Sequence, residues 1–297
     1  MSKQATTSQV AFLETKEYRR FAEFCDACRR YRYIGLCYGP AGVGKTLSAR
    51  HYAQCDLIEA YFPERFYDSY RLSSIESVIA QIVATKVAPW PPELGRCRSV
   101  LYTPSVINTP KRVEQEVRAL RLALSYLLDA PLKEPSQEQE SWQELVPLRA
   151  VTDPTELLIV DETDRLKTAA LEQIRDIYDH TQVGLVFIGM PDLEKRLSRY
   201  PQLYSRVGFV HEFRSLSSEE IHLFLQQQWM EWGLTLHSDS VAEMEAIAAM
   251  IRITNGNFRL LYRLLAQIER IVQINALRMI TKEVVELARQ QLVIGST

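Results

Sequence analysis

Two short stretches carry residues whose types and spacing could do phosphate chemistry. The first is Gly39-Pro40-Ala41-Gly42-Val43-Gly44-Lys45-Thr46. Its glycines let successive backbone N–H groups turn onto phosphate oxygens. Its lysine can reach the outer phosphates of a triphosphate, and its threonine hydroxyl can ligate Mg²⁺. The second is Leu157-Leu158-Ile159-Val160-Asp161-Glu162, four aliphatic residues ending in two carboxylates. A carboxylate standing beside Thr46 would hold the metal, as Asp161 does in this reading. The next one, Glu162, would polarise a water for attack on the terminal phosphate.

Such groups need elements to aim them. Ile34 to Tyr38 reads as a buried strand in front of the loop, and the chain from Thr46 reads as a helix behind it, with Leu47 completing a nucleotide cradle that runs from Gly39. A helix placed there points its positive end at the same anion. Further strands are expected at Ser99–Thr103, Leu157–Val160, Val183–Gly189 and Phe209–Phe213. Helices are expected over 15–30, from Pro110, from Asp164, and over Asp192–Tyr200. Strands alternating with helices specify an α/β fold with a parallel sheet flanked by helices. From Ser217 the period becomes helical throughout, with helices expected near 218–231, 239–253, 257–274 and 281–291. The organisation is therefore a nucleotide-binding core over 1–214 and a small all-helical second domain over 215–297. The core carries an insertion at about 55–98, including a helical piece at 74–87, and an acidic, proline-punctuated loop at about 130–156, with a helical turn around Trp142.

Composition narrows the setting. The chain has 297 residues, 46% hydrophobic and 24% charged, with a net charge of −2. It is long enough to bury a full core. It holds no run of about 18 apolar residues, so no membrane span is expected, and its first residues lack an apolar signal core, which places it in the cytoplasm. Five cysteines, an odd number, fit reduced thiols. Cys25 and Cys28 form a C-x-x-C inside a helical pattern without a second pair at metal spacing, which favours helix packing over zinc or redox chemistry. The near-neutral charge gives no global attraction to nucleic acid, so any such contact must be local. Lys111, Arg112, Arg118 and Arg121 on the helix from Pro110 offer one patch for a phosphate backbone, the alternative being an ordinary solvated face.

A phosphate-binding core followed by a four-helix lid resembles the AAA+ ATPases. The segment LLIVDETDRLKTAALEQIRDIYD, from Leu157, and the block VFIGMPDLEKRLSRYPQLYSRVGFVHEFRSLS, from Val186, are similar to DNA-transposition regulators of the TnsC, TniB and MuB type. So is the front segment FLETKEYRRFAEFCDAC. The resemblance implies an ATPase that uses ATP and Mg²⁺ and hydrolyses in an assembly-dependent way. It implies a homo-oligomer, ring or helical filament, on double-stranded DNA with little sequence preference. The partners implied are a transposase and a target-selection protein. It also implies Arg206 as an arginine finger acting in a neighbouring subunit, with Arg199 and Arg196 as rivals, and Arg259 as the lid's sensor arginine. It puts DNA against Asn108, Thr109, Lys111 and Arg112. One departure stands out: the polar residue expected at the end of the Ile188 strand is replaced by Gly189-Met190, so either another polar residue substitutes, with Asp192 a candidate, or hydrolysis is slow, as suits a timer rather than a motor. Two other readings remain: a nucleotide switch acting on a protein partner in secretion or signalling, and an Orc-like initiator or loader.

Overall fold

The computed structural model describes residues 12–59, 93–129, 152–232 and 240–292. The helical piece at 74–87 and the turn around Trp142 fall outside them. The described chain forms two compact units. One comprises Phe21–Ala41 and Lys45–Phe213 and holds the sheet; the other comprises residues 12–20, Gly42–Gly44 and the chain from Arg214, and is helical.

The sheet unit begins with α1 (Lys16–Tyr31), whose residues from Phe21 onward belong to it. Then come β1 (Ile34–Tyr38), α2 (Lys45–Tyr52) and α3 (Cys55–Glu59), β2 (Ser99–Tyr102) and α4 (Pro110–Asp129), β3 (Leu157–Val160) and α5 (Thr168–His180), β4 (Gly184–Gly189), α6 (Leu193–Leu197), α7 (Pro201–Tyr204) and β5 (Val207–Glu212). The five strands lie in the order β2-β3-β4-β1-β5, and every adjacent pair is parallel. This is the α/β architecture the alternation of periods predicts. The three central strands carry no charged residue because helices cover both faces of a parallel sheet. β1, β3 and β4 are accordingly buried almost throughout. Edge strand β5 instead alternates half-buried with exposed positions.

Packing explains the two-cysteine motif. Cys25 and Cys28 are fully buried in α1. A Cβ on Gly35 of β1 would stand 2.4 Å from Cys28 Sγ and 2.6 Å from the Phe24 ring, so the helix and strand touch through the space where a side chain would be. Burial pushes the Cys28 thiol up to about 12 and Cys25 well above the usual thiol range, which keeps both protonated and unreactive. The described residues contain no cluster of His, Cys, Asp or Glu able to hold a metal by itself.

Three boundaries differ from expectation. The helix expected from Asp164 starts at Thr168, after a 3-10 turn at Thr163–Arg165. The Asp164 carboxylate is engaged elsewhere, accepting the Met190 N–H at 2.8 Å. The helix expected over Asp192–Tyr200 ends early: α6 stops at Leu197, and a separate α7 begins at Pro201. Tyr200 precedes a proline and is held out of the helical region at φ −115, ψ 82. Strand β5 starts at Val207 rather than Phe209, with a bulge that seats Gly208 against the Tyr33 ring.

The helical unit contains α8 (Ser218–Glu231), α9 (Val241–Thr254), α10 (Phe258–Asn275) and α11 (Lys282–Gln290). Ser217 and Glu220 form a reciprocal capping box at the start of α8. Asn255 and Gly256, both at positive φ, end α9, and the Asn257 side chain caps α10. Phe224, Trp229, Met250, Leu264 and Ile268 anchor its separate core. No helix among the described residues is long and apolar enough to cross a membrane.

The Gly35 contact yields a direct test. Gly35→Ala should lower stability by about 1–3 kcal/mol, since it forces a methyl into a filled space. A denaturant midpoint equal to that of the parent would contradict the packing described.

Candidate active site

In a parallel sheet the loops that follow the strands gather along one edge. Here β1 and β3 flank β4, and the groups that leave their ends meet. The Thr46 hydroxyl, at the start of α2, donates to Asp161 Oδ2 at 2.7 Å. Asp161 is only 3% exposed, its N–H donates to Tyr102 O at 2.9 Å, and its other carboxylate oxygen accepts the Glu162 N–H at 2.8 Å. It makes no ion pair among the described residues. A buried carboxylate without a cation is costly, so this position is suited to one.

The loop between β1 and α2 is shaped by its glycines. A Cβ on Gly39 would sit 2.2 Å from Phe213 O, where the ends of β1 and β5 close together. Gly42 and Gly44 have φ of 81° and 112°, values that side chains disfavour. Pro40 and Ala41 are exposed and Val43 is buried. The Lys45 ammonium reaches back over the loop to Gly39 O at 2.5 Å and Pro40 O at 2.7 Å. Leu47 is exposed on the outer side of α2.

Glu162 follows in the left-handed region, φ 48° and ψ 42°. That is a strained conformation for a glutamate, of the kind that persists where the surroundings impose it. Its carboxylate forms an ion pair with Arg165. Arg165 in turn donates to Pro104 O at 3.3 Å. Sequence reasoning placed Arg165 on an ordinary helix. The signal available was its sign and its spacing of three residues from Glu162.

The remaining candidates divide. Arg206 sits before β5, and its carbonyl accepts the N–H of Ile34, the first residue of β1. It is therefore at the opposite end of β1 from the loop that carries Lys45, roughly 16 Å along the strand. Its guanidinium grips Asp179 through Nε at 2.7 Å and Nη2 at 3.2 Å. Of its rivals, Arg196 is spent on the carbonyls of Thr163 and Leu166, whereas Arg199 is exposed. In the helical unit, Arg259 donates its backbone N–H to Gly42 O at 2.9 Å and leaves its side chain exposed. At the end of β4, Asp192 is exposed and does not cap its helix, whereas Asp164 Oδ2 lies against Gly189 and Met190. Asp164, not Asp192, brings a carboxylate to that strand end. The glycine at 189 was its trace in the sequence.

The four residues proposed against DNA also separate. Asn108 is 5% exposed. Its amide donates to Ser105 O at 2.9 Å and Arg165 O at 3.0 Å, and its oxygen accepts the Lys167 N–H at 3.4 Å. It positions the loop, with its amide and its oxygen both engaged within the chain. Arg112 is paired with the buried Glu116 at 2.9 Å, and Tyr102 donates to the same carboxylate. Thr109 accepts the Arg112 N–H at the start of α4. Of the four, Lys111 stands exposed without an ion pair among the described residues.

With this geometry in hand, comparison with known proteins is decisive at the level of family. A family model described as an AAA domain matches residues 28–197. The chain belongs to the AAA domain family. It is similar to a potential ATP-binding protein of Staphylococcus aureus, 42% identical over 291 residues, covering 97% of this chain and 99% of that protein. It is more distantly similar to the Mu-like prophage FluMu DNA transposition protein B of Haemophilus influenzae, 23% identical over 262 residues, covering 84% of this chain and 70% of that one. Among solved structures, the Thermotoga maritima RuvB Holliday junction branch migration motor superposes with a TM-score of 0.53 at 13% identity, covering 94% of this chain and 70% of that one. The Aeropyrum pernix ORC2 protein in its ADP form gives 0.52 at 13% identity, covering 96% and 71%. Identities this low show a shared fold.

As an AAA+ ATPase the chain takes ATP, and ATPases of this family typically work with Mg²⁺. The residues fit both. Mg²⁺ is a hard cation that takes oxygen ligands and is usually held by one or two protein groups plus substrate phosphates and water. A threonine hydroxyl and a cation-free buried carboxylate are such a pair. Lys45→Ala should weaken ATP binding by at least about tenfold while leaving the far-ultraviolet spectrum and thermal midpoint near those of the parent; a lysine so placed contributes a charge-assisted contact that nothing else on the loop supplies. Fluorescent-nucleotide titration reads the outcome, and an unchanged affinity would contradict the site.

Proposed function

We propose that this AAA+ ATPase is a regulator of DNA transposition of the TnsC, TniB and MuB type. In the presence of ATP it oligomerises on duplex DNA, where it recruits or activates a transposase, and hydrolysis drives disassembly. Residues 1–214 act as the nucleotide-binding core and 215–297 as the lid. The observation that carries the reading is the convergence of Thr46, Asp161 and Glu162 at one sheet edge, with the Ser105–Thr109 loop fastened to the same turn through Arg165. The similarity over most of the chain to a transposition protein B supports the biological role.

In this reading Gly39 to Leu47 cradles the phosphates, Lys45 neutralises the outer ones, and Thr46 and Asp161 hold Mg²⁺. The metal, when bound, supplies charge stabilisation to the phosphates. Glu162 orients and deprotonates the attacking water once its carboxylate leaves Arg165. Arg206 lies at the wrong end of β1 to serve its own Lys45 loop. A guanidinium delivered from there to a neighbour's site would stabilise charge on the transferred phosphoryl group and tie turnover to assembly. To do so it must exchange Asp179 for phosphate oxygens. Arg259 would sense the nucleotide from the lid.

Two observations favour the second reading, a nucleotide switch acting on a protein partner without DNA. The net charge is −2, and Asn108 and Arg112 are satisfied internally. ATP-dependent retention of plain duplex, steepening at low salt, separates the two.

Two outcomes are expected. Glu162→Gln should keep ATP affinity within about twofold, cut turnover by at least about a hundredfold, and lengthen the lifetime of the DNA-bound assembly. Turnover like the parent's would remove Glu162 from its role. Arg206→Ala should bind ATP but hydrolyse it slowly. Mixing it with Lys45→Ala subunits, which lack a working cradle but carry Arg206, should restore part of the turnover; no restoration at any mixing ratio would contradict action in trans.

A further inference from the structure

The loop between β2 and α4 has a feature that neither the motifs nor the proposed contacts use. Val106 and Ile107 are each 76% exposed, more than any other large hydrophobic residue among those described. Single exposed aliphatics are ordinary on protein surfaces. This pair is different because the loop that presents them is tied down on all sides. The Ser105 hydroxyl donates to Ile107 O at 2.7 Å, and Asn108 bridges Ser105 O to Arg165 O. The Arg165 side chain holds Pro104 O, and the Lys167 N–H closes onto Asn108 Oδ1. Beyond the loop, Thr109 accepts the Arg112 N–H and receives the Val113 N–H on its carbonyl, so α4 starts at once. A buried asparagine is therefore committed to holding two aliphatic side chains out in water. Ordering a loop costs conformational entropy whether or not it is used, so a fixed apolar tip implies a surface it meets.

The charges beside it say which surface. Lys111 on α4 and Lys167 on the segment after β3 are both exposed and make no ion pair among the described residues. They come from two different segments, each directly bonded to or continuous with the loop. An apolar tip with ammonium groups beside it matches a groove whose walls are aliphatic and whose rims are anionic. The minor groove of duplex DNA has that composition, with deoxyribose C–H edges as walls and phosphates along both rims. We propose that Val106 and Ile107 form an apolar prong that packs against the deoxyribose walls of the DNA minor groove, with Lys111 and Lys167 on the flanking phosphates. This rests on the DNA reading given above; it keeps Lys111 from that reading and adds Val106, Ile107 and Lys167, which it did not name. It also assigns Asn108 as a positioning residue: its amide sets the prong, and it touches no DNA.

Sugar packing has a signature that charge does not share. Phosphate contacts set the slope of log affinity against log salt, about 0.9 per contact, whereas burial of aliphatic surface shifts affinity without changing the slope. The test uses the full chain with a slowly hydrolysed ATP analogue and a fluorescein-labelled duplex of mixed sequence, titrated at several salt concentrations. Val106→Ser/Ile107→Ser, at positions too exposed to disturb the fold, should weaken retention by about tenfold at every salt concentration with the parental slope. Val106→Ile/Ile107→Val should retain parental affinity. Lys111→Ala and Lys167→Ala should each lower the slope by about one. ATP-analogue affinity should be unchanged in all of them. Parental retention by the serine pair would overturn the prong, as would a fall in slope in that variant, or a defect confined to recruitment of a protein while DNA retention persists. If the parent chain retains no duplex at any salt concentration, the underlying DNA reading fails, and the prong falls with it, without any variant being needed.

Discussion

The structure turns on one hydrogen bond, from the Thr46 hydroxyl to Asp161, at 2.7 Å. It joins the start of the helix behind β1 to the end of β3 across the end of β4. It also marks the spot where a buried carboxylate has a hydroxyl neighbour and an amide but no cation. Desolvating a carboxylate without a counter-charge costs several kcal/mol. In the function proposed above, that cost is offset when a divalent cation and a polyphosphate are held there. Most other features near the site exist to keep these two groups in register.

The sheet order is the first of them. Placing β4 between β1 and β3 sets the two strand ends two inter-strand spacings apart, about 10 Å between axes, which a turn from each side can bridge. Gly39 allows β1 and β5 to close at that edge. The turn after β3 is then built by long-range contacts. Glu162 is left-handed, Asp164 accepts a bond from β4, and Arg196 reaches the carbonyls of Thr163 and Leu166. Arg165 links this turn to the β2–α4 loop. A ligand that displaced that loop would pull on the same guanidinium that holds Glu162. The position of the loop and the freedom of the Glu162 carboxylate are thereby connected by two adjacent contacts.

These features were not equally visible in the sequence. The glycine-rich loop and the strand ending in Asp161-Glu162 were legible because phosphate and metal chemistry constrain both residue type and spacing. The strands and the C-terminal helices were legible because burial imposes a period on the chain. The Thr163–Lys167 turn was not, since Asp, Arg, Leu and Lys in succession read as a helix start, and the contacts that prevent it come from β4 and α6. The engagement of Asn108 was hidden for the same reason: two of its three partners, Arg165 and Lys167, are 57 and 59 residues away in the chain. Asp164 could have been suspected only from the glycine opposite it. Arg206 was located by resemblance; its hold on Asp179 and its place at the far end of β1 are visible only in three dimensions.

Manganese in place of magnesium tests the central arrangement most directly. With a slowly hydrolysed ATP analogue, electron paramagnetic resonance of Mn²⁺ should show one tightly held ion per chain, dependent on the nucleotide and lost or greatly weakened in Asp161→Asn. An ion held equally well without nucleotide, or unaffected by that substitution, would contradict the account.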